Sequence, residues 1–198
     1  MIDNKDITIA ILAGGRSQRM AGNDKGLILL NNKPLISYII DTFSGATQNL
    51  LINANRNQQK YQKYTTQPIV IDELDGFQGP LAGIAACMKV IKTEYLLILP
   101  CDCPFVGVEL LSRFLANMRS QDDIVIASDG KYLQPTFALI RVSLLPDLLN
   151  YLSSGERKLA NWYKNHQKIV VDFSDKTHFF ENLNTPKDFA FFTKPTSV

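Results

Sequence analysis

The sequence predicts an α/β domain of three layers, with helices on both faces of a mainly parallel sheet. Short, uninterrupted apolar segments alternate with amphipathic segments of helical period almost from the first residue. Uninterrupted apolar segments are typical of strands that are covered on both faces. Their alternation with helices implies right-handed crossovers between parallel strands. One pair of segments, within residues 123–140, breaks this alternation and predicts an antiparallel addition, so we expect a mixed sheet.

The N-terminal half begins with the apolar run Ile7–Leu12, which predicts the first strand. Residues 34–43 follow, with large apolar side chains at helical spacing. A second helix is expected to open at Gly79-Pro80, because proline is favoured in the first turn of a helix. The other strands expected in this half are residues 49–53, 67–71 and 95–99.

The C-terminal half contains the segments that break the alternation. Asp129-Gly130 is a strong turn signal, and it predicts that residues 123–127 and 134–140 pair as antiparallel strands. The last helix is expected to start at Thr185, with the threonine as its cap and Pro186 in its first turn. The other elements expected in this half are helices at 110–118 and 144–152 and a strand at 169–173.

The composition excludes several classes of protein. The chain has 198 residues, of which 45% are apolar and 20% charged, so it can bury a core without disulfides or a structural metal. Lys and Arg number 21 against 19 Asp and Glu, and this net charge of +2 argues against nonspecific nucleic-acid binding. No apolar run could span a bilayer, the polar N-terminus lacks a secretory signal, and three cysteines do not suggest a disulfide framework. We therefore expect one cytoplasmic domain over residues 1–198, with neither nucleic acid nor membrane among its partners.

The loop after the first strand carries the strongest functional signal. Gly14 and Gly15 remove side chains where the backbone turns, and backbone N–H groups in such a loop can bind phosphate oxygens. The motifs GxxxxGK[ST] and GxGxxG are absent. A plain turn with solvated cations is the alternative, but glycines and cations together favour phosphate binding. The loop carries three cations and one acid, namely Arg16, Arg19, Lys25 and Asp24.

Two acids follow apolar strands of the predicted sheet. Asp102 comes directly after the strand at 95–99, and its carboxylate suits Mg²⁺, which prefers oxygen ligands and shares its shell with substrate phosphates. A helix cap is the alternative for Asp102. Cys101 and Cys103 cannot complete a zinc site by themselves, so we interpret them as packing residues. Asp72 follows the strand at 67–71, and the residues alone leave a turn acid and a ligand equally open.

The segment 12–20, LAGGRSQRM, followed by Asp24-Lys25-Gly26, resembles the signature loop of nucleotidyltransferases that use a nucleoside triphosphate. Within that superfamily the chain most resembles the molybdenum cofactor guanylyltransferases, the MobA family. Ala21 is a local departure, since the family more often has glycine there. The resemblance covers essentially the whole chain and implies a Rossmann-like nucleotide-binding fold. Further matching motifs are NANR at 53–56, GPLAG at 79–83, PCDCP at 100–104, GERK at 155–158 and NLNTP at 182–186.

The resemblance implies an enzyme that transfers GMP from GTP to molybdopterin and releases pyrophosphate. Lys25, Asp102 and Arg19 are the implied catalytic residues, and Asp102 is the implied ligand of a Mg²⁺ cofactor. The N-terminal part would bind the nucleotide and the C-terminal part the acceptor. The implied GTP site comprises Leu12, Ala13, Gly14, Gly15, Lys25, Asn53, Asp72 and Asp102. The implied acceptor site comprises Gly79, Gly83, Gln134, Arg157, Lys158, Asn182 and Asn184.

Two alternatives stay open at this point. The sister family that uses CTP on molybdopterin shares the glycine-rich loop, as do other nucleotidyltransferases with small acceptors. A module that binds GTP without turnover is the second alternative, and the presence of both Lys25 and Asp102 argues against it. We expect a monomer. Other proteins of molybdenum cofactor biosynthesis and the molybdoenzymes that receive the cofactor are candidate partners.

Overall fold

A computed structural model describes residues 2–15, 24–73, 79–119 and 121–193. The strands in these ranges are β1 (Ile7–Leu12), β2 (Leu29–Leu30), β3 (Lys33–Pro34), β4 (Leu50–Asn53), β5 (Tyr95–Pro100), β6 (Ile124–Ser128), β7 (Leu133–Arg141) and β8 (Lys168–Asp172). The α-helices are α1 (Leu35–Phe43), α2 (Gln58–Tyr61), α3 (Pro80–Val90), α4 (Glu109–Asn117), α5 (Leu145–Ser153), α6 (Leu159–Tyr163) and α7 (Pro186–Phe192).

Six of these strands form one mixed sheet in the order β4-β1-β5-β7-β6-β8. β1 pairs in parallel with β4 and β5, and β6 pairs in parallel with β8. β7 runs antiparallel to both of its neighbours, β5 and β6. The predicted fold class is confirmed, including the antiparallel pair that interrupts the alternation of strands and helices.

The two faces of the sheet bury separate apolar clusters. Ile9 and Ile11 of β1 face the cluster that includes side chains of α1 and α4. Ala10 faces the opposite cluster, which includes side chains of α3, α5 and α6. Because strand side chains alternate between faces, a strand buried on both sides has to be apolar at nearly every position. That requirement explains the run ITIAIL, whose one polar side chain, Thr8, is buried and shares a hydrogen bond with the hydroxyl of Thr93 at 2.8 Å.

The segment at 67–71 differs from its expected strand. It makes one isolated parallel bridge, between Val70 and Asn53. Val70 N–H donates to the carbonyl of Ile52, and Ala54 N–H donates to the carbonyl of Val70, both at 2.9 Å. Pro68 has no backbone N–H to give to a ladder, so the pairing ends close to Val70.

The structure contains a small hairpin that the sequence pattern does not predict, because its strands, β2 and β3, have only two residues each. Asn31 and Asn32 connect them, and both adopt the left-handed conformation, with φ of 48° and 62°. Asparagine tolerates this region better than most side chains, and two such residues in succession make the tight turn that suits a hairpin.

The sheet register brings three strand ends to one edge. Leu12 lies opposite Asn53 on one side and opposite Pro100 on the other. The residues that follow β1, β4 and β5 are therefore neighbours in space. The antiparallel β7 begins at this same edge, since its residue Ala138 pairs with Ile98 near the end of β5. Ligands of open α/β sheets bind beyond such carboxyl ends.

Within the described ranges, none of the helices has the length and apolar character needed to cross a membrane.

Candidate active site

Main-chain hydrogen bonds extend past the ends of the three strands. Ala13 N–H donates to the carbonyl of Asn53 at 2.8 Å, and Cys101 N–H donates to the carbonyl of Leu12 at 3.1 Å. The glycine loop therefore starts in contact with the segments that carry the other polar side chains. Arg56 adds a guanidinium contact to the carbonyl of Gly15 at 3.3 Å.

Lys25, Asp102 and Asn184 meet at this edge although they are far apart in sequence. The ammonium Nζ of Lys25 donates to Oδ2 of Asp102 at 2.9 Å, and it also donates to Oδ1 of Asn184. The Lys25 side chain is 23% exposed and that of Asp102 is 16% exposed. This partly shielded cluster of one cation, one carboxylate and one amide can bind a phosphate chain and a divalent cation together.

A buried acid supports the backbone beside Lys25. Asp24 is 6% exposed, and its carboxylate accepts hydrogen bonds from the Tyr61 hydroxyl at 2.8 Å and from the Asn57 amide at 3.0 Å. Burial, followed by the charges around it, raises the pKa of Tyr61, so the hydroxyl remains a donor at neutral pH. Gly26 leaves room for the ring, since a Cβ there would lie 2.8 Å from the Tyr61 hydroxyl.

Two hydrogen bonds join the segment after β5 to the segment before α7. Leu183 N–H donates to the carbonyl of Asp102 at 2.9 Å, and the Cys103 thiol donates to Oδ1 of Asn182 at 2.8 Å. Burial raises the pKa of Cys101 and of Cys103, so both thiols are neutral at physiological pH. Neutral buried thiols agree with the interpretation of both cysteines as packing residues, although Cys103 is also a hydrogen-bond donor.

A second polar cluster surrounds Asp72. Nδ2 of Asn53 donates to Oδ1 of Asp72 at 2.9 Å, and Nδ2 of Asn55 donates to Oδ2 at 2.8 Å. In return, the backbone N–H of Asp72 donates to Oδ1 of Asn55 at 2.8 Å. The two amides hold the carboxylate in one orientation. This cluster lies against the glycine loop, because a Cβ on Gly14 would be 3.1 Å from Nδ2 of Asn55.

Comparisons with known proteins show the family to which this chain belongs. Residues 9–169 match the family described as the MobA-like NTP transferase domain. The chain belongs to this family. Two curated relatives named molybdenum cofactor guanylyltransferase cover nearly all of it. The relative from Shewanella loihica is 43% identical over 182 residues, which are 91% of this chain and 92% of the relative. The relative from Vibrio vulnificus is 46% identical over 182 residues, which are 92% of each chain.

Two solved structures have the same fold as this chain. Molybdopterin-guanine dinucleotide biosynthesis protein A from Archaeoglobus fulgidus superposes with a TM-score of 0.78 at 23% identity, covering 93% of this chain and 96% of that one. A nucleotidyl transferase from Methanothermobacter thermautotroptrophicus superposes with a TM-score of 0.74 at 16% identity, covering 93% and 94%. The family match and the two curated relatives make this MobA-like chain a nucleotidyltransferase of the molybdenum cofactor guanylyltransferase type.

The acceptor candidates of this MobA-like enzyme lie on several different elements. Asn182 and Asn184 lie against Asp102 and its neighbours. Gln134 is the second residue of β7, and its amide donates to Asp129 at 2.8 Å. Lys158 is exposed at the start of α6.

Two glycines and an arginine of the acceptor set lie near α3. Gly79 precedes the helix with φ of 77°, and a Cβ there would lie 3.8 Å from the carbonyl of Arg157. The guanidinium of Arg157 donates to the carbonyls of Leu152 and Glu156, each at 2.7 Å. Gly83 is buried inside α3, where it contacts Asn53 of the Asp72 cluster.

Arg19 and the rest of segment 16–23 lie outside the described residues, so its expected catalytic role has no geometry here. Sequence reasoning missed Asn55, Asp24 and Tyr61 as parts of the site. Asn55 carried one signal, because it belongs to the NANR motif directly after β4. Asp24 belongs to the motif Asp24-Lys25-Gly26 but was given no role of its own, and Tyr61 lies in a polar segment without any motif.

The donor atoms around Asp102 fit a hard cation that completes its shell with substrate oxygens. Asp102 supplies one carboxylate. The amide oxygen of Asn184 accepts from the same Lys25 ammonium, and that of Asn182 accepts from the thiol of the adjacent Cys103. Among the described residues, no cluster of three or more His, Cys, Asp or Glu could hold a metal by itself. Mg²⁺ is commonly bound in this way, by one or two carboxylates together with phosphates and water.

Proposed function

We propose that this nucleotidyltransferase transfers GMP from GTP to the terminal phosphate of molybdopterin and releases pyrophosphate. The observation that carries the proposal is the contact of Lys25 with Asp102 and Asn184 beside the glycine loop. The family match and the names of the two relatives above support the same substrates. GTP and molybdopterin are thus the proposed small-molecule partners.

Catalysis of this reaction requires the protein to position the two substrates and to neutralise phosphate charge. An oxygen of the acceptor phosphate forms a bond to the α-phosphorus of GTP, and the bond from that phosphorus to the α–β bridging oxygen breaks. Pyrophosphate leaves with the electron pair. A phosphate oxygen is already ionised at neutral pH, so no general base is required. Lys25 offsets the charge that develops on the leaving group, and the backbone of Gly14 and Gly15 holds the phosphates in line.

Asp102 is the proposed ligand for a divalent cation, with Mg²⁺ the ion that its oxygen donor suits. When bound, the cation neutralises phosphate charge. Asp102 has a second task that needs no metal, because its carboxylate also orients the ammonium of Lys25. The carbonyl of the same residue accepts from Leu183 and so fixes the segment that carries the two acceptor asparagines.

The Asp72 cluster favours guanine as the base. Each oxygen of the Asp72 carboxylate accepts one amide hydrogen bond from the protein, and an aspartate oxygen can accept a second. Guanine presents two neighbouring donors, N1–H and the 2-amino group. Cytosine, uracil and adenine each place an acceptor beside their donor. A carboxylate held in one orientation therefore pairs best with guanine, which favours GTP over CTP.

The acceptor half is proposed to lie on the side of the C-terminal residues. Asn182 and Asn184 can exchange hydrogen bonds with a polar heterocycle such as a pterin. Arg157 and Lys158 offer positive charge to an anionic group. Gln134 and Gly79 complete the proposed set, while Gly83 contributes through its contact with Asn53.

Product analysis tests the proposal directly. The purified protein is incubated with molybdopterin, MgCl₂ and one of GTP, CTP, ATP or UTP, and the products are identified by mass. We expect a guanine dinucleotide with release of pyrophosphate, and no comparable product from the other triphosphates. A cytosine dinucleotide formed at an equal or higher rate would contradict the assignment of GTP.

A further inference from the structure

We propose that Asn55 is a positioning residue that sets the base specificity of the nucleotide site. It does so by fixing the position of the Asp72 carboxylate relative to the glycine loop. The inference rests on the proposed function, in which Asp72 pairs with guanine. Asn55 itself is not proposed to touch the base. It is proposed to act through the carboxylate that does.

The first support is the reciprocal pairing of one side-chain amide with a single residue. Nδ2 of Asn55 donates to the carboxylate of Asp72, and Oδ1 of Asn55 accepts from the backbone N–H of Asp72, both at 2.8 Å. Because the amide bonds to the main chain and the side chain of the same residue, it fixes the torsions between them. Rotation of the carboxylate would break one of the two bonds.

The second support is the contact of the same amide with the phosphate side of the site. A Cβ on Gly14 would lie 3.1 Å from Nδ2 of Asn55, so the glycine loop rests on this side chain. Asn55 thus contacts both the loop proposed to hold the phosphates and the carboxylate proposed to hold the base. A Cβ on Gly14 would also lie 3.4 Å from Oδ1 of Asn53, so the spacing between the two nucleotide contacts depends on both amides, with Asn55 the nearer to the loop.

Asn53 has a different part in the cluster. It is 2% exposed, and Nδ2 donates to the carbonyl of Val70 at 3.2 Å as well as to Asp72. Its position is fixed by the core, and it holds Oδ1 of the carboxylate. Asn55 holds Oδ2. If one oxygen loses its amide donor, the carboxylate can turn about the other, and its two oxygens no longer face two neighbouring donors on a base.

The test uses Asn55→Asp and Asn55→Ala with GTP and inosine triphosphate. Inosine triphosphate keeps N1–H but lacks the 2-amino group, so it probes the second hydrogen bond alone. Dissociation constants of both nucleotides are measured by titration calorimetry in the presence of MgCl₂. We expect the unaltered protein to bind GTP about tenfold or more tightly than inosine triphosphate, as befits one hydrogen bond to a charged group.

Both substitutions are expected to bring this ratio close to one. Asn55→Ala removes the donor, and Asn55→Asp also places a second carboxylate against Asp72. If the added charge of Asn55→Asp weakens the binding of both nucleotides too far to be measured, the ratio is still obtained from Asn55→Ala. Asn49→Asp is the matched control, because it makes the same chemical change at the other end of β4, just before the strand begins. It should leave the ratio unchanged.

The outcomes separate the inference from the proposed function. If Asn55→Ala weakens the binding of both nucleotides equally, the ratio of their dissociation constants stays that of the unaltered protein. Asn55 then has a structural role only, and the inference is overturned. If the unaltered protein itself binds both nucleotides equally, the pairing of Asp72 with guanine is wrong, and the inference fails with it. Unfolding midpoints of the variants, measured in urea, identify any loss of binding caused by unfolding.

Discussion

The ammonium group of Lys25 lies between two oxygen atoms that come from distant parts of the chain. Asp102 follows a central strand, and Asn184 precedes the last helix. The side chain is therefore held in place before any nucleotide arrives. Little reorganisation is then needed when phosphate charge has to be neutralised, which is the condition under which a fixed charge contributes most to catalysis.

Lys25→Ala and Asp102→Ala are expected to keep the fold and to lower turnover by roughly 10²–10³, by analogy with the loss of a fixed oxyanion donor. Pyrophosphate release measures turnover. Lys176→Ala is a suitable control, because it breaks another lysine ion pair, to Glu109 at 3.1 Å, on the surface. Release at a near-normal rate from both site variants would show that the roles are assigned wrongly.

Tyr61→Phe is expected to reduce the free energy of unfolding by about 1–3 kcal/mol, because buried Asp24 loses a hydrogen-bond donor that nothing replaces. Urea unfolding at neutral pH measures the change. Tyr132→Phe removes the same hydroxyl from an exposed ring and serves as the comparison. Equal stability of the two variants would mean that the Tyr61 hydroxyl does not support Asp24.

At the level of elements, helix α3 and strand β4 approach each other closely at the site. A Cβ on Gly83 would overlap Oδ1 of Asn53 and lie 3.0 Å from its Cγ. Glycine is needed here for the space beside Asn53 rather than for an unusual backbone conformation. The position of the Asp72 cluster thus depends on how α3 packs against the sheet.

Gly83→Ala is expected to displace Asn53, to weaken GTP binding and to reduce the free energy of unfolding by about 1–3 kcal/mol, the usual cost of overpacking. Titration calorimetry and urea unfolding measure the two effects. Gly45→Ala is the matched control, since a Cβ there would meet nothing within 4 Å. GTP affinity that is unchanged in Gly83→Ala would argue against this account of the glycine.

Helix α7 begins with a capping box that also positions Asn184. The carboxylate of Asp188 accepts from the backbone N–H of Asn184 at 2.8 Å and of Thr185 at 2.7 Å. These backbone hydrogen bonds, that of Asn184 first, lower the pKa of Asp188. The cap therefore contributes to the stability of the helix and to the placement of an acceptor residue.

Asp188→Asn is expected to destabilise the protein at neutral pH and to matter less in acid. A carboxyl whose pKa is lowered by folding stabilises the fold above its unfolded pKa, and that contribution is lost as the pH falls through the folded pKa. Urea unfolding of both proteins between neutral pH and the acid range measures the difference. A difference that stays constant down to the lowest pH would contradict the charged cap.

At the level of the whole molecule, the long apolar strands and the loops after them were predictable, whereas the partners of polar side chains were not. The apolar run Ile7–Leu12 predicted a covered strand, and Lys25 and Asp102 stood out by motif and position. Asn55 belongs to the NANR motif, but its pairing with Asp72 could not be predicted, because that pairing depends on a bridge that places two separate segments side by side. The segment at 67–71 showed the strand pattern, but Pro68 limits its pairing to a single bridge.

GTP with MgCl₂ is expected to raise the free energy of unfolding of the whole chain, by about 2.7 kcal/mol when the ligand is at one hundred times its dissociation constant. CTP at the same concentration should have a clearly smaller effect, and Lys25→Ala should lose most of the shift. Urea unfolding at fixed ligand concentration gives these values. An equal shift with both nucleotides would contradict selection of guanine by the folded protein.

The hydrogen bond from Leu183 to Asp102 has a consequence for synthesis on the ribosome. Residues 182–184 follow β8, so they leave the exit tunnel after every strand of the sheet has been made. Chains begin to fold while they are being synthesised, N-terminal parts first. The site is therefore completed only after residues 182–184 have been made, because Asn184 supplies one of the two oxygen partners of the Lys25 ammonium.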